Sequence, residues 1–122
     1  MFSAVAAIAP AGLLLRSDRH VGAGRLALID VDERGAARHI GFDEIADWSQ
    51  RLANVLGAAG LVRGDRVAVF LSQSVELPVV HLAAFRAGLV SVPLFTLFGE
   101  DALAFRLDNS GARAVVTDPA GF

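Results

Sequence analysis

The amino-acid sequence predicts an α/β fold, a partial subdomain in which a small β-hairpin precedes a βαβαβ parallel sheet flanked by helices. Three observations predict it. Apolar residues recur at steps of three and four in some stretches and form short β-branched runs in others, the periods of helix and of buried strand. Gly60, Gly88 and Gly111 each close a helical stretch shortly before an apolar run, so the repeating unit is helix then strand. Strands joined through helices pair in parallel, with right-handed crossovers.

Taken in order, residues 1–24 are expected to be poorly structured, and residues 25–122 to form an incomplete amino-terminal portion of a larger domain. Met1 to Leu15 is uncharged, but Pro10 and Gly12 interrupt it, and it falls short of the roughly 20 apolar residues a membrane span needs. A secretory signal carries positive charge ahead of its apolar stretch, whereas the first arginine here, Arg16, follows it. The expectation is a cytoplasmic chain without a membrane span.

Arg25 to Val31 (RLALIDV) reads as a strand, Asp32 to Gly35 as a turn, and His39-Ile40 as the return strand of a hairpin. From Phe42 to Ala59, Ile45, Trp48, Leu52, Val55, Leu56 and Ala59 keep the helical period, with Gly60 as a left-handed C-cap. Gly41 and Glu44 stand where a capping box places its Ser/Thr and its Glu. Arg66 to Leu71 (RVAVFL) is a buried strand closed by Ser72-Gln73-Ser74. Leu77 to Ala87, with Pro78 in its first turn, is a helix apolar nearly all round, so an exposed apolar patch is expected on or beside it. Leu89 to Leu94 is the next strand. Glu100 and Asp101 suit the positive end of a helix dipole running to about Asn109, and Ala114 to Thr117 is the last strand. In parallel sheets ligands meet the carboxyl ends of strands. Those ends are Ser72 to Ser74, Phe95 to Gly99, and Thr117-Asp118.

Composition narrows the chemistry. The 122 residues are 54% hydrophobic and 20% charged, and all 11 basic residues are arginine, set against 13 acids spread evenly along the chain. A net charge of −2 without a basic patch gives no footprint for nucleic acid. With no cysteine, disulfides, thiolate metal sites and cysteine nucleophiles are excluded. With no lysine, so are the Walker A loop, Schiff-base chemistry and a lysine phosphate clamp.

Local motifs resolve into structure. Gly22, Gly24 and Ala27 match a dinucleotide fingerprint by letter, but a strand follows where a helix is required, so they read as a connecting loop. Asp30, Asp32 and Gly35 fit a calcium loop in part, yet Arg34 takes a ligand position and Gly41 stands where the bidentate Glu belongs. Arg63-Gly64-Asp65 reads as a tight turn. His20, His39 and His81 fall in separate elements, and His81 reads as a hydrogen-bonded interface histidine. Trp48 and the eight phenylalanines read as core or interface filling, and the acid pairs Asp43/Glu44 and Glu100/Asp101 as helix-dipole partners.

A longer pattern remains. Phe42 to Ile45, Ser49 to Leu56, Gly60 to Ala68 (GLVRGDRVA), Ala83 to Leu94 (AAFRAGLVSVPL), Leu107 to Arg113 (LDNSGAR) and Val115 to Asp118 resemble, in order and spacing, the amino-terminal part of AMP-forming acyl-CoA synthetases. The resemblance covers about residues 26–118. Phe95 to Gly99 (FTLFG) is similar to members acting on acetyl to medium-chain acids, while Gly41 replaces the usual Ser/Thr and Gln73-Ser74 a frequent Asn-Ser. The resemblance implies that the whole enzyme joins a carboxylate to ATP and then to coenzyme A, with Mg as a further cofactor. Its phosphate loop and catalytic lysine lie downstream of these motifs. It therefore implies no catalytic, cofactor-binding or metal residue in this chain, no cofactor bound by it alone, and the remainder of the synthetase domain as partner. The alternative is a free-standing, non-enzymatic α/β module that binds a partner through its strand-end loops.

Overall fold

The computed structural model describes residues 24–119. The expectation for residues 1–24 thus lies, Gly24 apart, outside the described residues. The described residues begin with an antiparallel hairpin of β1 (Leu26–Val31) and β2 (Ala37–Gly41), in which Ile29 faces His39 and Val31 faces Ala37. Asp32 closes the turn: its carboxylate accepts the N–H groups of Arg34 at 2.9 Å and Ala36 at 2.8 Å. The second strand is longer than His39-Ile40. Ala37 and Arg38 are exposed and carry no apolar signal, and pairing with β1 makes them strand.

β2 runs directly into α1 (Phe42–Ala58), with Gly41 extended at the junction. Half of a capping box forms: the Glu44 carboxylate accepts the Gly41 N–H at 3.0 Å, and Gly41 has no side chain to reciprocate. One face of α1 buries Ile45, Ser49, Ala53 and Leu56. The helix ends as its glycine foretold: Gly60 lies at φ +85°, and the Leu61 N–H reaches back to the Leu56 carbonyl at 3.3 Å. The same closure ends α2 (Glu76–Arg86) through Leu89 and Ala84, and α3 (Glu100–Ser110) through Ala112 and Leu107.

The parallel sheet has the order β4 (Val90–Pro93), β3 (Arg66–Phe70), β5 (Ala114–Thr117). Its centre, β3, is covered on both sides, which is why its sequence is apolar without alternation. Val67 and Val69 pack with residues of α1 and α2, whereas Ala68 and Phe70 pack with Leu94, Leu103 and Leu107. The chain steps from β3 to β4 on one side, then crosses to β5 on the other. Right-handed crossovers then require α2 and α3 on opposite faces, as the two packing sets show.

α1 is held to α2 by a partly buried polar contact. Arg86 donates from Nε to the Ser49 hydroxyl at 3.0 Å and from a terminal nitrogen to Gln50 at 3.3 Å. Ser49, fully buried, in turn donates to the Ala46 carbonyl, so its polar atom is satisfied inside the helix pair. The hairpin lies against the same helices, with Ile40 packed among Ile45, Val75 and Val79. α2 therefore buries Val79, Val80, Ala83 and Ala84 and leaves only Phe85, 37% exposed, as a large outward apolar residue. Among the described residues the most exposed large apolar side chains lie elsewhere, on Phe95, Leu97 and Phe105.

Candidate functional site

The carboxyl ends of all three parallel strands lie at one end of the sheet, and the three loops expected there meet. Ser72, leaving β3, donates its hydroxyl to the Asp118 carboxylate at 2.8 Å, tying the end of β3 to the end of β5. On either side of Leu71 and Ser72 lies a hollow. One, of about 280 Å³, sits between the ends of β3 and β4 and is lined by Val69, Leu77, Pro93 and Phe95, with His81, Gln73 and Thr96 as polar groups. The other, of about 520 Å³, opens beside β5 over Leu52, Val79, Val80 and Val116, with Ser74, Glu76 and Asp118 at its polar rim.

His81 reaches the first hollow from α2, and its Nδ1 lies 2.7 Å from the Ser91 hydroxyl on β4. Burial pulls its pKa below the ordinary value of 6.5, because the half-buried site disfavours the imidazolium. This is the hydrogen-bonded interface histidine expected from the sequence. The loop from Phe95 to Gly99 borders the same hollow. Phe98 anchors it, with an edge-on contact to Phe95 at 5.7 Å between ring centres and the Arg106 guanidinium 3.9 Å above its ring. Leu97 projects outward, 95% exposed.

These groups suit binding more than bond-making. Among the described residues Ser91 and His81 lie within hydrogen-bond reach, but Ser91 does not line the hollow and no carboxylate lines it to orient the imidazole, so the pair is not presented there as a nucleophile and its base. No arginine lines either hollow, so neither offers a cationic cradle for a triphosphate. The arginines are used elsewhere. At the opposite end of the sheet, Arg66 donates to the carbonyls of Ser110, Gly64 and Gly111, and Arg113 pairs with Asp65 at 2.7 Å. The Asp65 carboxyl is held below the usual carboxylate range by the Val62 N–H first and by Arg113 after it.

The motifs set aside in the sequence are structural here too. Gly24 leads into β1, not into a helix, and Asp32 is spent on its own turn. Arg63-Gly64-Asp65 is a tight turn, with Gly64 at φ +89° and its N–H on the Gly88 carbonyl. Trp48 packs with the hairpin's inner face and carries the Arg38 guanidinium 5.3 Å from its ring centre. Ser91 as partner of His81, and Asp118 as partner of Ser72, were not found from sequence. They lie 10 and 46 positions apart, and only the sheet brings them together.

The fold and its spacing agree with known proteins. Residues 16–121 match the sequence pattern of the family described as "AMP-binding enzyme". The chain belongs to that family. Among AMP-binding enzymes, the acetyl-coenzyme A synthetase of Rhodobacter capsulatus is 40% identical over 86 residues, 70% of this chain and 13% of that protein. The acetyl-coenzyme A synthetase of Bacillus subtilis is 40% identical over 106 residues, covering 84% of this chain and 18% of that protein. The crystal structure of Brucella canis acyl-CoA synthetase superposes with a TM-score of 0.80 at 39% identity, over 84% of this chain and 19% of that one. The chain thus spans less than a fifth of each of these AMP-binding enzymes, and the match falls on their amino-terminal region. Among the described residues, no helix is long and apolar enough to cross a membrane.

Proposed function

We propose that these 122 residues serve as the amino-terminal part of an acyl-CoA synthetase. The whole enzyme would join a carboxylic acid to ATP, releasing pyrophosphate, and pass the acyl group from the adenylate to coenzyme A. One observation carries the division of labour. The chain has the family's sheet and strand-end loops, yet no lysine in its sequence and no arginine in either strand-end hollow. Stabilising a transferring phosphoryl group depends on cations held in place beforehand. The residues present do not fit ATP or its Mg ion by themselves, so no catalytic step is assigned to them.

The chain's contribution in this reading is a rigid platform. β3, buried on both faces, fixes the positions of Leu71 and Ser72, and the Ser72–Asp118 contact sets the spacing of the loops around them. The remainder of the synthetase domain is the proposed partner, and a short to medium-chain carboxylic acid the proposed substrate class. A cytoplasmic site of action belongs to the same proposal, since ATP and coenzyme A must both reach the enzyme. ATP–pyrophosphate exchange with short and medium-chain acids tests the assignment. The 122-residue chain alone should show none, and acid-dependent exchange by it would overturn the division of labour.

A further inference from the structure

Arg66 opens β3 and holds both ends of the connection from α3 to β5. Its Nε donates to the Ser110 carbonyl at 2.9 Å, and its terminal nitrogens donate to the carbonyls of Gly111 at 3.1 Å and Gly64 at 3.2 Å. Its own carbonyl accepts the Arg113 N–H at 2.9 Å. Ser110 ends α3, so its carbonyl lies at the negative end of a helix dipole, where a cation is favoured. Glycine at 111 leaves room for the grip, since a Cβ there would stand 3.0 Å from a guanidinium nitrogen. The planar guanidinium fixes the spacing of the carbonyls it holds, which a flexible ammonium would not.

β5 needs such a hold because its sequence sets its register only weakly. Ala114 and Val116 pack toward α1 and α2, and Val115 packs toward α3, so the strand is apolar on both faces. A slip of one residue reverses the faces and is opposed by the core. A slip of two toward the carboxyl end keeps every side chain on its face and puts Ala112 where Ala114 was. It would also carry Asp118 about 6–7 Å past Ser72, out of hydrogen-bond reach. A further side-chain tie at this end, Arg113 with Asp65, is exposed on the arginine side and holds weakly. We infer that the Arg66 guanidinium fixes the register of β5 against β3, and thereby positions Asp118 beside Ser72 at the far end of the strands. Arg66 is thus a positioning residue for the candidate site. The use made of that site rests on the reading under Proposed function, whereas the register does not.

Proton contacts and amide exchange, read by NMR in the 122-residue chain and its variants, test this. In the parent chain, contacts between the strands should place Val115 opposite Ala68, and Asp118→Asn should move the Ser72 amide signal. In Arg66→Met the Val115 and Thr117 amides should exchange at least about 10-fold faster relative to that of Leu94, which bonds to β3 from the β4 side. Asp118→Asn should then no longer move the Ser72 signal. Arg66→Lys should fall between the two, and Arg113→Met should match the parent. An unchanged register in Arg66→Met, or equal loosening on the β4 and β5 sides, overturns the assignment, as does a parent chain without the contact between Val115 and Ala68. If Arg66→Met does not fold, Arg66→Lys decides, and equal loosening of Thr117 and Leu94 in it overturns the assignment. None of these outcomes touches the proposed function, whose own test is ATP–pyrophosphate exchange.

Discussion

The fold lowers the pKa of both His81 and Asp65, and the two act in the same direction on the pH scale. His81 is half-buried against Ser91 and its pKa is lowered by burial. The unfolded chain therefore binds the imidazole proton more readily than the folded one, and stability is complete above the ordinary value of 6.5 and falls as pH drops below it. Replacing His81 by Gln should flatten the pH dependence of Tm between about pH 7.5 and about pH 5.5. Thermal melts at the two pH values check this, and an unchanged slope would show that the histidine is not the cause. Asp65 has a lowered carboxylate pKa, from the Val62 N–H and then Arg113. Its stabilising effect is present above the unfolded carboxylate range and is lost as pH falls through it. Asp65→Asn should lower stability near neutrality and weaken its further loss in acid, read from urea midpoints across that range. Neither pairing was legible in the sequence. A histidine on an apolar helix announces an interface, but its hydroxyl partner sits on a strand whose register must first be known.

Helix ends were the most legible elements, because the chemistry that closes them is local. Gly111 ends α3 at φ +61°, and a Cβ built there would lie 3.0 Å from a guanidinium nitrogen of Arg66. Gly111→Ala therefore combines left-handed strain with displacement of an arginine that holds the Ser110 and Gly111 carbonyls, and should cost about 1–2 kcal/mol in urea unfolding. The other end of a helix offers the opposite change. Gly41 precedes α1 with an extended backbone and lacks only a capping oxygen, and a Cβ there meets nothing closer than 3.5 Å. Gly41→Ser should complete the box with Glu44 and stabilise by about a few tenths of a kcal/mol, visible as a small rise in Tm. Strands were less legible. β2 is longer than predicted because Ala37 and Arg38 join it by pairing and not by apolar pattern, and β4 is shorter because Leu89 and Leu94 flank the paired segment.

Across the molecule, the deepest packing lies where α1, α2 and the sheet meet. Leu56 is fully buried there among Ala53, Val67, Ala83 and Ala114, from two helices and two strands. Leu56→Ala should cost about 2–5 kcal/mol, a large share of the stability of a chain this size, with loss of cooperative unfolding as the measurable sign. The apolar excess of the Leu77 to Ala87 stretch illustrates the limit of patterning. The sequence shows that such a helix needs cover on more than one side, but not what supplies it. Here α1, the hairpin and β3 supply most of it, and the exposed large apolar residues among those described are spread over the molecule, with Leu26, Ile29 and Val31 on β1, Phe95 and Leu97 on the loop after β4 and Phe105 on α3 among them.

By itself the sequence determined the α/β class, the order of elements and the family, because helical period, β-branched runs and closing glycines are properties of neighbours along the chain. It also excluded lysine and cysteine chemistry outright. Only the tertiary structure decided that β3 is central, that α2 and α3 lie on opposite faces, and that Ser72 meets Asp118 across 46 residues. Those are facts of register and handedness. They arise when strands distant in sequence share hydrogen bonds, and no local pattern records which of two edges a strand will join.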